Sequence, residues 1–269
     1  MNKNKEIIYI EEYKEEVSIY ESIKRVFLTG LFPFEYFEDI SLSPDLIGPF
    51  LCILLLSLIN FLYMYVFSYN VHIGYLKQSS VSLPIVNITD QKILIYPSNS
   101  TLYSNTTLVK IKDILFSRIY SDTIVLSLAV WLSTFIGMYL SSKVLGGETK
   151  SFGYISGYVL SAKIYEYLTR TVILYFLIKP FNIEVYVPAG SDIKIIVSYI
   201  VAGINKIGEV MILLKGHQVF FIIWNIIVVI AALNIGGKLS LKKAIIGGIT
   251  SYIITGGLYL FITRIFSMI

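Results

Sequence analysis

Residues 44–67 read PDLIGPFLCILLLSLINFLYMYVF, and the 22 positions from Leu46 to Phe67 carry no charge. At about 1.5 Å of rise per residue, a helix of that length crosses the roughly 30 Å hydrocarbon core of a bilayer. Gly48-Pro49 stands at the entrance of the run. Proline has a fixed φ and no amide proton, which a first helical turn tolerates and later turns do not. Charged sequence precedes this stretch and four more apolar segments follow, so it reads as the first span of a polytopic membrane protein.

Composition points the same way. The chain has 269 residues, of which 55% are hydrophobic and 15% charged, against about 25% charged in globular domains. Its mean hydropathy is +0.72. A net charge of +4 gives no reason to expect a nucleic-acid partner. The one cysteine, Cys52, lies inside the first span, so neither a disulfide framework nor a thiolate metal site can be built. The first 28 residues are dense in Glu and Lys with no apolar h-region, so no signal peptide is expected and the first span should remain as an anchor.

Upstream, residues 1–45 form a cytoplasmic N-terminal region. Ile10, Tyr13, Val17, Tyr20 and Val26-Phe27 recur at helical spacing, which predicts an amphipathic helix on the membrane surface or bound to a partner. Leu31–Phe37, rich in Phe and Tyr, fits an interfacial segment beside the headgroups.

Downstream, a loop over 68–121 holds three N-x-S/T sequons, at Asn87, Asn99 and Asn105, which favour an outward-facing, glycosylated loop. Its short apolar runs at 81–86, 92–96 and 107–111 predict a small β-rich module. Residues 122–269 then supply four further spans, at about 123–140, 152–178, 219–235 and 244–262. An outer loop over 181–218 separates two of them, and its 195–204 stretch reads as interfacial or re-entrant. The two short connectors hold Lys143, Lys150, Lys238, Lys242 and Lys243 against one acid, Glu148. The positive-inside rule places them, and the N-terminus, in the cytoplasm. The expected fold is an all-α polytopic membrane protein with five transmembrane helices and a small β-rich extracellular insertion.

Motifs of soluble enzymes are missing: no HExxH, CxxC, GxSxG, P-loop or GxGxxG occurs, and His72 and His217 stand alone in outer loops. No catalytic residue, cofactor or metal is expected. The third span is unusual. Lys163, Glu166 and Arg170 share one helical face near mid-membrane. Each charge there costs about 2.5–3.5 kcal/mol on the insertion scale, so they should face protein or water, paired with one another or forming an ion, proton or headgroup site. Small residues recur every four positions at Ser133, Gly137 and Ser141, at Gly153, Gly157 and Ser161, and at Gly247, Ser251 and Thr255. Such stripes serve bundle packing or homo-oligomerisation.

The order of features resembles the Ypt-interacting protein (Yip) family. Asp45-Leu46-Ile47-Gly48-Pro49 is similar to its Asp-Leu-Tyr-Gly-Pro signature, with Ile47 in place of Tyr. Pro33 to Ile40 resembles the family's lead-in, Gly146-Gly147 its turn before the third span, and Gly157-Tyr158 its Gly-Tyr motif. Trp224 and the turn from Ser240 to Ala244 fit its layout around the fourth and fifth spans. Together these cover about two thirds of the chain. The Pro after Gly-Tyr is absent and the sequon-bearing loop is longer than usual. The resemblance implies a non-enzymatic membrane scaffold or adaptor with a protein partner on the cytoplasmic face. It would sit in the cell membrane for a prokaryotic, archaeal member. For a eukaryotic one the expectation is an ER or Golgi membrane and a small GTPase partner. The alternative expectation is a transporter or channel component using Lys163, Glu166 and Arg170.

Overall fold

Two short helices precede the long apolar run, α1 (Ile19–Thr29) and α2 (Pro33–Leu42). The Ser18 hydroxyl caps α1 by accepting from the Glu21 amide at 3.2 Å, and Pro33 opens α2, where a missing amide proton does no harm. The apolar run forms α3 (Ile47–Ser68), and further on come α4 (Ile111–Val144), α5 (Phe152–Ile178), the short α6 (Ile193–Asn205), α7 (Gly208–Ile235) and α8 (Leu241–Phe266). This computed structural model describes residues 17–68, 70–77, 82–89, 92–99, 107–179, 181–206 and 208–266. Ile10 and Tyr13 of the expected amphipathic helix, and the Asn105 sequon, lie outside the described residues.

Four stretches among the described residues are long and apolar enough to cross a membrane: Ile47–Val66, Thr123–Val144, Ile212–Ile235 and Leu241–Arg264. The chain is thus a helical, multi-pass membrane protein, but the expected count of five is corrected to four on this criterion. The odd helix is α5. It is 27 residues long, yet Lys163, Glu166 and Arg170 fall around and beyond its middle and dilute its apolar character. Boundaries shift as well. The helix of the fourth expected span begins at Gly208, and its apolar stretch at Ile212, rather than near residue 219, so His217 is helical, and α4 reaches back to Ile111.

Within the bundle α3 packs chiefly along α5, α4 along α8, and α7 against both α5 and α8. The core holds Cys52, Leu56, Met138, Phe152, Tyr158 and Leu233. The small-residue stripes of α4 and α8 face each other inside one chain. A Cβ added to Gly137 would meet Thr255 Oγ1 and the Ser251 carbonyl, and the Thr255 hydroxyl donates to the Ser133 carbonyl at 3.2 Å. Glycine here lets two backbones approach where lipid provides no hydrophobic drive for association.

At one end of the bundle sits a five-stranded mixed sheet. Its strands are β1 (Val71–Leu76), β2 (Pro84–Thr89), β3 (Lys92–Pro97), β4 (Leu108–Lys110) and β5 (Asn182–Pro188), in the order β2-β3-β5-β1-β4. The expected module over residues 68–121 is therefore incomplete alone, because its central strand, β5, comes from the second loop and pairs in parallel with both β1 and β3. Register puts Ile73, Ile95 and Val185 side by side on one face, where Ile196, Tyr199 and Ile200 of α6 join them. The stretch at 195–204, expected to be interfacial or re-entrant, lies in α6 and packs on this sheet. Leu174 of α5 enters the same cluster and seats the module on the bundle. On the other face, buried Glu184 pairs with Lys92 at 2.8 Å and accepts a 2.8 Å bond from the Tyr186 hydroxyl. Burial, then that bond, push the Tyr186 phenol up to about 12.

Candidate functional site

The end opposite the sheet carries a dense polar network at the mouth of α3. Asp45 is its hub. Its Oδ1 accepts from the Gly48 amide at 2.7 Å and from the Ser22 hydroxyl at 3.2 Å. The first bond satisfies an amide that a helix N-terminus would otherwise leave orphaned, and the carboxylate suits the positive end of the helix dipole. Its Oδ2 accepts from the Tyr158 hydroxyl at 2.6 Å and from Arg25 Nη1 at 3.1 Å.

Arg25 reaches this hub from α1. Its guanidinium, 3% exposed, also donates through Nε to Asp39 Oδ2 at 2.8 Å and through Nη1 to the Ser43 carbonyl at 2.7 Å. Burial alone would lower the Arg25 pKa. The hydrogen bond and charge of Asp39, then the bond to Asp45, outweigh it and hold the group above its ordinary value. One guanidinium thus ties together α1, α2 and the residues leading into α3. Charge-assisted bonds of this kind are the strong ones, and a buried ion must have them to be tolerated.

Close backbone contact completes the mouth. A Cβ on Gly48 would overlap the Tyr158 hydroxyl, and one on Gly157 would overlap Pro49. The two motifs singled out in the sequence, Asp45 to Pro49 and Gly157-Tyr158, therefore fit into each other although more than a hundred residues separate them. The participation of Arg25 and Asp39 was missed. A signal existed in that Ser22, Arg25, Val26 and Thr29 follow helical spacing and form the buried face of α1.

The other sequence candidates lie elsewhere. Gly146, at φ 77, lets α4 reverse. The Gly147 amide donates to the Ser142 carbonyl at 2.9 Å and the Glu148 amide to the Gly237 carbonyl at 2.8 Å. The first bond closes the end of α4, the second ties the α4–α5 turn to the α7–α8 turn, and the exposed pair of Lys238 and Glu148 at 3.0 Å spans the same junction. On α5, Lys163 Nζ donates to Glu166 Oε2 at 2.6 Å, and Asn225 Nδ2 of α7 donates to the same oxygen at 3.0 Å. Arg170 lies over the Tyr63 ring of α3, 5.5 Å from its centroid. His217 Nε2 and Thr169 Oγ1 are 2.7 Å apart. Asn87 is exposed on edge strand β2, and exposed Asn99 accepts from the Ser82 hydroxyl at 2.7 Å. Among the described residues no three His, Cys, Asp or Glu side chains gather as metal ligands. The chain matches no family model, no curated protein and no solved structure.

Proposed function

We propose that this chain is an integral membrane scaffold or adaptor of Yip type, with the mouth of α3 and the two short turns facing the cytoplasm and a protein partner binding there. The observation that carries this reading is the Arg25–Asp39–Asp45–Tyr158 network. Its charged groups hold helices to one another, so it reads as a joint that fixes α1 and α2 on a platform. In this reading α5 is a fifth crossing. It packs among α3, α4 and α7, and the pairing of Lys163 with Glu166 and the Arg170–Tyr63 contact reduce the cost of its charges inside the bundle. The lysines of the turns favour the cytoplasmic side. The sequons then decorate the outer module, with the cell membrane as the location for a prokaryotic member.

Capture from gently solubilised native membranes tests the reading, with the wild-type chain compared with Asp45→Asn. A discrete partner retained by the first and weakened by the second is expected. Equal recovery of every co-purifying protein by both would overturn the role of the joint.

A second reading, a transporter or channel component, draws on one observation. Glu166 is 12% exposed, takes donors from two helices, and lies beside Lys163, which is 25% exposed. A partly accessible ion pair inside a bundle is where a proton or ion would bind.

A further inference from the structure

α1 is amphipathic inside out. The face buried in protein is Ser22, Arg25, Val26 and Thr29, while Tyr20, at 76%, Ile23 and Phe27 are exposed, with exposed Lys24 beside them paired to Glu21 at 3.2 Å. The exposure continues over the tip and into α2 as Leu31, Phe32, at 56%, and Phe34. Water would reverse this arrangement, since polar groups gain nothing from burial unless paired while apolar ones do. A solvent of acyl chains requires it.

The tip itself supports the same conclusion. A helix that ends in hydrocarbon leaves carbonyls without donors, and each costs several kcal/mol unless protein supplies one. The bundle supplies them here. Trp224 Nε1 of α7 donates to the Gly30 carbonyl at 2.8 Å, and the Tyr165 hydroxyl of α5 donates to the Phe27 carbonyl at 3.0 Å. The level follows from α5. Gly30 lies against the Ser161 backbone, and Pro49 at the mouth of α3 lies against Gly157. Four residues of α helix place the tip about 6 Å further in than that mouth, within the roughly 5–10 Å that interfacial helices penetrate. α2 then returns to the mouth, where Asp39 meets Arg25. Exposed Glu35 and Glu38 lie on this returning stretch.

We infer that α1–α2 is a hairpin inserted into the leaflet at the mouth of α3, with Leu31, Phe32 and Phe34 presented to lipid acyl chains and the tip held by Trp224 and Tyr165. The partner is the bilayer itself. α3 likewise exposes an apolar row that includes Phe50, Leu54 and Leu58.

Nitroxide labels at Leu31→Cys and Phe32→Cys, in full-length protein reconstituted into phosphatidylcholine–phosphatidylglycerol vesicles, test this. Cys52 is fully buried and stays in place. Both target side chains are exposed, so the thermal midpoint serves as a check on folding. The expected result is ready collision with dissolved oxygen and several-fold less collision with a water-soluble nickel chelate than a label at Lys150→Cys. Leu54→Cys serves as the lipid standard. Nickel access equal to that at Lys150 would place the tip in water and overturn the inference. Shielding from both reagents would mean a protein covers the face, and would overturn it equally. Adding Trp224→Phe should raise nickel access at Phe32, and no change would remove Trp224 as the anchor.

Discussion

Replacing Asp45 with Asn tests whether the mouth of α3 is held by charge or only by shape. The amide is isosteric and its oxygen can still accept from the Gly48 amide, so the helix cap survives. The charge facing Arg25 does not, and the new NH2 points toward donors if the oxygen keeps its cap. Breaking one partner of a buried ion pair costs about 3–5 kcal/mol. Arg25 keeps Asp39 and the Ser43 carbonyl, which puts the loss at the lower end, about 3 kcal/mol. At about 2–4 °C per kcal/mol for a chain approaching this size, the unfolding midpoint in mild detergent should fall by about 6–12 °C. Glu38→Gln, on the exposed side of α2, is the control and should stay within about 0.5 kcal/mol of the parent. Combining Asp45→Asn with Arg25→Met should give a coupling energy of at least about 1 kcal/mol, since residues in one network are not additive. A midpoint for Asp45→Asn as close to the parent as that of Glu38→Gln would refute the reasoning.

Three further outcomes are expected. Gly157→Ala drives a Cβ into Pro49, while Gly153→Ala meets nothing within 4 Å. The first should destabilise by about 1–3 kcal/mol and the second should not, read as thermal midpoints of the two variants. Glu166→Gln should leave ion flux across proteoliposomes unchanged if the chain is a scaffold, and abolish it if the transporter reading is right. The Tyr186 phenol, raised from 10.0 to about 12, binds its proton more tightly folded than unfolded, so its contribution to stability is complete below pH 10 and lost from there to pH 12. Tyr186→Phe should flatten the stability loss over that window, measured as the difference from wild type.

The spans were legible because an uncharged apolar run of bilayer length is rarely accommodated anywhere but across a membrane. The polar character of α5 was legible because its three charges recur on one face. What the spacing could not reveal was the sense of the amphipathic helix. Tyr20 and Val26-Phe27 were grouped on one apolar face, whereas Val26 is buried with Ser22 and Arg25 while Tyr20 and Phe27 are exposed. A period of 3.6 identifies a two-faced helix but not the solvent around it, and near a bilayer the apolar face turns outward. The Asp45–Pro49 and Gly157-Tyr158 motifs were each visible, yet nothing local linked them. Their contact depends on α3 and α5 running side by side. The sheet was legible only in part, for the same reason. Strands at 84–89 and 92–97 were close to expectation, but β5 and its parallel pairing depend on a segment more than eighty residues away, and parallel pairing has no tight turn to announce it. The small-residue stripes were readable as contact surfaces, and those of α4 and α8 face each other within one chain.

Site-specific photo-crosslinking in native membranes tests the scaffold reading most directly. A photoreactive residue would be placed at exposed positions of the turns, Lys150 and Lys242, and at exposed positions of the sheet end, Leu83 and Asn182. The account predicts one discrete protein adduct common to the two turn positions and none from the sheet end. Adducts confined to the sheet end, or none from any position, would contradict it.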